Sequence, residues 1–308
     1  MNSSTTVPEH TADEPAVPGQ RKDGEPTTRE LLVEITVTTD AVRKKTWVSG
    51  DISGDGTGDG ASLELVGSTT SPMSGLDSAG LGWLTPFISF LEEPLNQLRG
   101  NPGPVESGSG EYDRAGQDVT AAADTYRKST VKETEDWSGG AGEGYRETGS
   151  QYADGLTALG EGSSTVASAL TGAGEVVAQV VQIVTGIVAE AVGKIVPIMT
   201  EAVAQAAVTF GASIAAAIPQ CVQIAVEAGG QIAGKLAALL SSGQNLLKLV
   251  DGAIAVMQIA KQVLSAISSQ STSPGQSTDS SRTTDTGQST DPDQDDETTQ
   301  STTTEELA

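Results

Sequence analysis

Few side chains in this sequence are equipped for chemistry. One histidine, His10, and one cysteine, Cys221, occur in 308 residues. A single Cys excludes an intrachain disulfide. The one His lies in a polar N-terminal segment, so a Cys/His metal site or a Ser-His-Asp triad is close to excluded. Carboxylates are plentiful, with 41 Asp and Glu against 17 Lys and Arg. None is paired in an apolar setting that would raise its pKa for acid–base work. The densest group lies in residues 49–60 (SGDISGDGTGDG), where Asp51, Asp55 and Asp59 invite a calcium reading. An EF-hand loop needs a bidentate Glu at its twelfth place. Counted from Asp51 that place is Ser62, and from Asp55 it is Val66. The ligand set does not close, and the stretch reads as a solvated Gly/Asp loop. No catalytic residue, cofactor-binding residue or metal ligand is assigned, and no enzyme is expected. A net charge of −24 argues against nucleic acid and anionic membrane as charge-driven partners, because phosphate binding needs a basic surface.

What the sequence does carry is helix architecture, and its centre is Asp136-Trp137-Ser138-Gly139-Gly140. Gly139 or Gly140 can supply the φ > 0 position that ends a helix without a Cβ penalty. The preceding Trp can lie back across a helix–helix seam and bury its ring there. Before the turn, a helix is expected from about residue 110 to 136, with Tyr112, Ala115, Val119, Ala122 and Tyr126 on one face. After it, Ala141, Tyr145, Thr148, Tyr152, Leu156 and Leu159 mark a matching face. Two amphipathic helices joined by so short a turn run antiparallel.

The flanks follow from composition and period. Residues 1–28 are rich in Pro, Glu, Thr and Ser, hold no apolar run and show no signal peptide; they are expected to be disordered. Alternation at Val33, Ile35 and Val37 suggests a short strand, while a helix from Thr39 to about Trp47, capped by Thr39 or Asp40, is equally allowed. In residues 77–98, Leu81, Leu84, Ile88, Leu91, Leu95 and Leu98 recur at helical steps, with Pro86 and Pro94 as kinks or starts. Residues 100–104 (GNPGP) stop that helix. From Val166 to about Ile267 the chain is apolar with helical period, interrupted by Pro197 and Pro219, and Ser241-Ser242-Gly243 reads as a turn. Residues 202–226 carry no charge and are long enough for a membrane span. They are Ala-rich, contain Gln205, Gln220, Gln223 and Pro219, and lack flanking aromatic or basic anchors; a helix buried in a helical stack is favoured. The Ser/Thr/Gln/Asp tail from residue 268 has no apolar face and is expected to be disordered.

Together these stretches resemble the Trp-x-Gly (WXG) superfamily of type VII (ESX) secretion substrates. The hairpin with Trp137-Ser138-Gly139 at its tip is the superfamily's mark. Trp47-Val48-Ser49-Gly50 with Gly60-Ala61-Ser62-Leu63-Glu64 looks like the first segment of actinobacterial members. Gly82-Trp83-Leu84 and residues 90–102 (FLEEPLNQLRGNP) look like the helix before their hairpin. The run from Ile183 to Glu190 (IVTGIVAE) resembles the apolar helices after it. The likeness spans roughly residues 40–265 and is to the N-terminal export module of large polymorphic toxins. Two departures stand out. Type VII substrates commonly carry Tyr-x-x-x-Asp/Glu, whereas Tyr145 leads to Gly149 and Tyr152 to Leu156. The export signal then lies on a partner chain, or this chain is not exported by itself. Toxin relatives also continue into a catalytic domain, and here the apolar helices run into the acidic tail.

The expectation is an all-α protein: a disordered segment 1–38, a hairpin region 39–165, an apolar Ala/Gly-rich helical region 166–268 and a disordered tail 269–308. The resemblance implies a non-enzymatic substrate or component of type VII secretion, cytoplasmic before export and then secreted or at the cell surface. It implies a helical WXG-type partner or self-association, together with the secretion machinery. Trp137, Ser138, Gly139, Tyr145 and Tyr152 are the expected turn and interaction residues, with Tyr145 and Tyr152 read as core. The rival is a membrane-active protein using helices 166–267.

Overall fold

The computed structural model describes residues 26–53, 66–67 and 71–271. It is all-α, with no strand among the described residues. The expected disorder of residues 1–25 and 272–308, and Asp55 and Asp59 of the Gly/Asp loop, lie outside the described residues.

Nine α-helices are described: α1 (Thr28–Arg43), α2 (Gly50–Ser53), α3 (Ser74–Ser78), α4 (Thr85–Ile88), α5 (Glu93–Leu98), α6 (Gly103–Glu133), α7 (Gly140–Ala204), α8 (Ala206–Thr209) and α9 (Ala212–Ser271). The spine is α7, 65 residues long, or about 95 Å at 1.5 Å per residue. It contacts α1, α6 and α9 along its length. α9 folds back antiparallel: the hydroxyl of Ser213 donates to the Ala202 carbonyl at one end, and Leu264 meets Gly155 near the other. α1 runs parallel to α7, from Thr28 beside Gly155 to a hydroxyl pair between Thr39 and Thr165.

α1 overturns two expectations. Residues 28–38 are helical and do not belong to a disordered segment, and neither the strand nor the later helix start holds. Thr27 caps the helix: its hydroxyl accepts from the Glu30 N–H, and the Glu30 carboxylate accepts from the Thr27 N–H. This reciprocal box satisfies two backbone donors that a helix start otherwise leaves open. The buried positions are Thr28, Leu31, Ile35, Thr39 and Val42, a helical stripe. Val33 and Val37 are exposed while Ile35 is buried, so the three alternating positions do not share one buried face.

Residues 74–98 form short pieces and not one helix, with 3-10 turns at Gly82–Leu84 and Ser89–Leu91 between α3, α4 and α5. Pro86 and Pro94 sit in the first turns of α4 and α5, where a missing N–H costs nothing. The stripe read from sequence is nonetheless the buried one. Leu81, Leu84, Ile88, Leu91 and Leu95 join Val184, Val188, Ile195 and Met199 of α7 and Ile232 of α9 in the larger core. Trp47 is buried there too, its indole N–H donating to the Val42 carbonyl.

Other corrections concern breaks that do not exist. The boundary expected at residue 165 falls inside α7. Pro197 and Pro219 both lie within helices that continue past them. The turn expected at Ser241-Ser242-Gly243 is continuous α9. Ser242 is fully buried because its hydroxyl donates to the Ala238 carbonyl and accepts from the Ser49 N–H. The charge-free stretch 202–226 is neither a single helix nor buried in a stack: it holds the end of α7, all of α8, and a turn at Phe210 and Gly211 before α9, and only Ala202, Ala217, Cys221 and Ala225 of it are buried. Cys221 is buried against the same core, and burial pushes its thiol pKa up.

Candidate interaction face on the hairpin

α6 and α7 form the antiparallel hairpin, with α6 ending at Glu133 and α7 beginning at Gly140. Pro104 in the first turn starts α6 seven residues earlier than expected. Among the elements in substantial contact with it, α6 packs on α7 alone.

The seam between them is built from small residues, not from the face read in the sequence. Gly116, Ala123 and Thr130 are buried on α6, and Gly142, Gly149, Ala153 and Gly160 on α7. A Cβ at Gly116 would stand 2.6 Å from the Gly160 carbonyl oxygen, and one at Gly160 would stand 2.7 Å from that of Gly116. A methyl at Gly149 would meet Thr130. The backbones approach too closely for any side chain at these points. Ser163 and Thr171 tie the open end, donating to the Tyr112 carbonyl at 2.6 Å and the Ser109 hydroxyl at 3.1 Å. Arg127 bridges the helices through Asp154 at 2.6 Å.

At the tip, of the two glycines the sequence offers, Gly139 takes φ +85°, but it starts α7 and does not end α6, whose C-cap is Thr134. The Gly139 carbonyl accepts from the Gly142 and Glu143 N–H groups. Gly142 is needed for a separate reason: a Cβ there would sit 3.0 Å from Cβ of Trp137. Arg146 closes the turn, its guanidinium donating to the Thr134 carbonyl at 2.8 Å and to the Trp137 carbonyl at 3.3 Å. Sequence reasoning missed Arg146; a lone cation one turn into a helix after a Gly pair was its only signal.

Trp137 is not buried in the seam. It is 52 % exposed and lies against Tyr145, ring centroids 5.4 Å apart and tilted at 48°; Tyr145 is 46 % exposed. The seam is too narrow for an indole, so the ring turns outward. Tyr152, also expected in the core, is half-buried and pairs with Tyr126 at 5.1 Å. Desolvation, with a smaller effect of the neighbouring Tyr145, holds the Tyr126 phenol above its ordinary pKa of 10.0. Ser138 sits exposed in the turn. The structure thus groups Trp137, Tyr145, Tyr126 and Tyr152 along the outer face of the hairpin, with Tyr112 exposed farther down α6.

A shallow cleft of about 350 Å³ lies where α1, α6 and α7 meet, lined by Arg43, Lys45, Asp113 and Glu175 among others. Lys45 is paired with Glu175 at 2.8 Å, and the cleft holds no nucleophile–base pair. Comparison of the chain with protein-family models, with curated proteins and with solved structures finds no match.

Proposed function

We propose that the chain is a non-enzymatic helical substrate or component of type VII (ESX) secretion, serving as an export and interaction module. The observation that carries this reading is the position of Trp137-Ser138-Gly139. It forms the junction of an antiparallel hairpin whose seam excludes bulky side chains and leaves the aromatic ones outside. Aromatic side chains at a surface bury large area for little lost rotamer freedom, and they concentrate binding energy. The outer face of α6–α7 therefore docks another helical hairpin, a WXG-type partner or a second copy. A photo-crosslinking amino acid in place of Tyr145, in the full chain expressed in a type VII-secreting host, tests this. Adducts to a small helical Trp-x-Gly protein or to the chain itself support the reading. Adducts no more frequent than from Lys261 on α9 contradict it.

The membrane-active rival draws on α7 and α9, each long and apolar enough to cross a membrane by length and composition alone. The most apolar stretch of α7 is half buried within the fold and that of α9 22 % buried, and the charge-free stretch 202–226 is divided by the turn. The export module remains the preferred reading.

A further inference from the structure

The end of the molecule opposite the Trp137 turn has a different surface. Here α7 gives way to α8 and α9 through residues 205–211. Phe210 is 97 % exposed and Val208 82 %, with Val203 also exposed. Phe210 takes φ +52° and ψ +37°, a left-handed conformation that disfavours bulky residues and suits Gly or Asn. Neither local conformation nor packing explains a Phe at this position.

The polar groups of the tip find partners within the chain. The Thr209 hydroxyl donates to the Gln205 carbonyl, the Ser213 hydroxyl to the Ala202 carbonyl, and the Ser213 N–H to the Thr209 hydroxyl. The Gly211 N–H donates to the Ala206 carbonyl, and the Gln205 amide reaches back to Glu201. Backbone groups satisfied in this way tolerate a medium without water. Charge narrows the choice of medium: the chain has no Lys or Arg between Lys194 and Lys235, and the nearest charges, Glu201 and Glu227, are acidic. An anionic surface would be repelled. Three large apolar side chains, Val203, Val208 and Phe210, make up the exposed tip; with about 150–250 Å² for the one aromatic, the patch falls short of the about 800 Å² per partner of a standard protein interface.

We infer that the α7–α9 tip is a shallow anchor for an uncharged, zwitterionic lipid surface, with Phe210 and Val208 as the inserting side chains. Glu201 sets the depth. Ser213 bonds Ala202, so Glu201 lies at the level where α9 begins, and only the α8 layer enters. That fits the about 5–10 Å burial of interfacial elements and not a span. Because α7 is a single helix, the tip and the aromatic hairpin face occupy opposite ends of it.

The test is flotation of the full chain with phosphatidylcholine vesicles, with and without added phosphatidylglycerol. The expected result is flotation with phosphatidylcholine, weaker with the anionic lipid, and no release of an encapsulated dye. Phe210→Ser with Val208→Ser, at exposed positions that leave helical circular dichroism unchanged, lowers partitioning at least about tenfold. Trp137→Ala at the far end leaves it unchanged. Failure to float with phosphatidylcholine, or equal flotation of the double Ser variant, overturns the inference. So does a native chain that sediments as a dimer and becomes monomeric in that variant, which would make the tip a self-contact.

Discussion

Adding one methyl group at Gly160 should weaken the protein, while adding it elsewhere on the same helix should strengthen it. A Cβ at Gly160 would lie 2.7 Å from the Gly116 carbonyl oxygen, against an optimum of about 3.5–4.0 Å for non-bonded carbon atoms. The Thr120 hydroxyl stands closer still and must turn away, but the Gly116 carbonyl is backbone, so α6 and α7 must also move apart by several tenths of an ångström. Overpacking of this kind costs about 1–3 kcal/mol. Ala in a helix interior recovers about 1 kcal/mol over Gly. The expected net loss for Gly160→Ala is about 1–2 kcal/mol. At Gly186, also within α7, no atom lies within 4 Å of a built Cβ, so Gly186→Ala keeps the propensity gain of about 0.5–1 kcal/mol. Urea unfolding followed by far-ultraviolet circular dichroism measures both, and hydrogen exchange across residues 103–133 reports whether α6 loosens. Adding Gly116→Ala to Gly160→Ala should cost less than the sum of the singles, since the seam is already open. If Gly160→Ala stabilises the protein as much as Gly186→Ala does, the close seam does not exist in solution.

Trp137→Ala removes a half-exposed ring paired with Tyr145, so it should cost about 1–2 kcal/mol, below the about 3–5 of a buried Trp; a larger shift in the unfolding midpoint would place the ring in a core. Arg146→Ala removes the donors that close the turn, and limited proteolysis should then cut between residues 133 and 140, where the native chain resists. Tyr126 has a folded pKa above its unfolded value of 10.0, so its neutral form is favoured by folding. Its contribution is fully present below that value and is lost as pH rises through the folded pKa. Phenolate absorbance should show a late-ionising component that is lost in Tyr126→Phe. The full chain should be soluble without detergent, and recovery only in a carbonate-resistant membrane fraction would favour the rival reading.

The helical class and the larger core were legible because bulky residues carry a strong periodic signal: Leu81, Leu84, Ile88, Leu91 and Leu95 are buried as their spacing predicts. The hairpin seam was misread for the same reason. Reading by hydropathy selects Tyr112, Val119 and Tyr126, yet a close helix pair excludes bulk and selects Gly116, Ala123 and Thr130 at seven-residue steps. That small-residue heptad was visible and went unweighted, as was the Thr27–Glu30 capping box that starts α1. A positive φ at Gly139 or Gly140 was readable, and the structure places it at Gly139. The outward Trp137 was not, since its direction depends on how narrow the seam is.

The central claim is that this chain serves type VII secretion. Its most direct measurement is export of the full chain from an ESX-bearing actinobacterial host, compared with a strain lacking the secretion ATPase. Co-expression with a WXG-type partner supplies the missing Tyr-x-x-x-Asp/Glu signal. The account predicts chain in the culture medium or at the cell surface only when the ATPase is present, with export lowered when Trp137 and Tyr145 are both replaced by Ala. Equal recovery outside cells with and without the ATPase, or strict retention in the cytoplasm with every WXG-type partner of the host co-expressed, contradicts it.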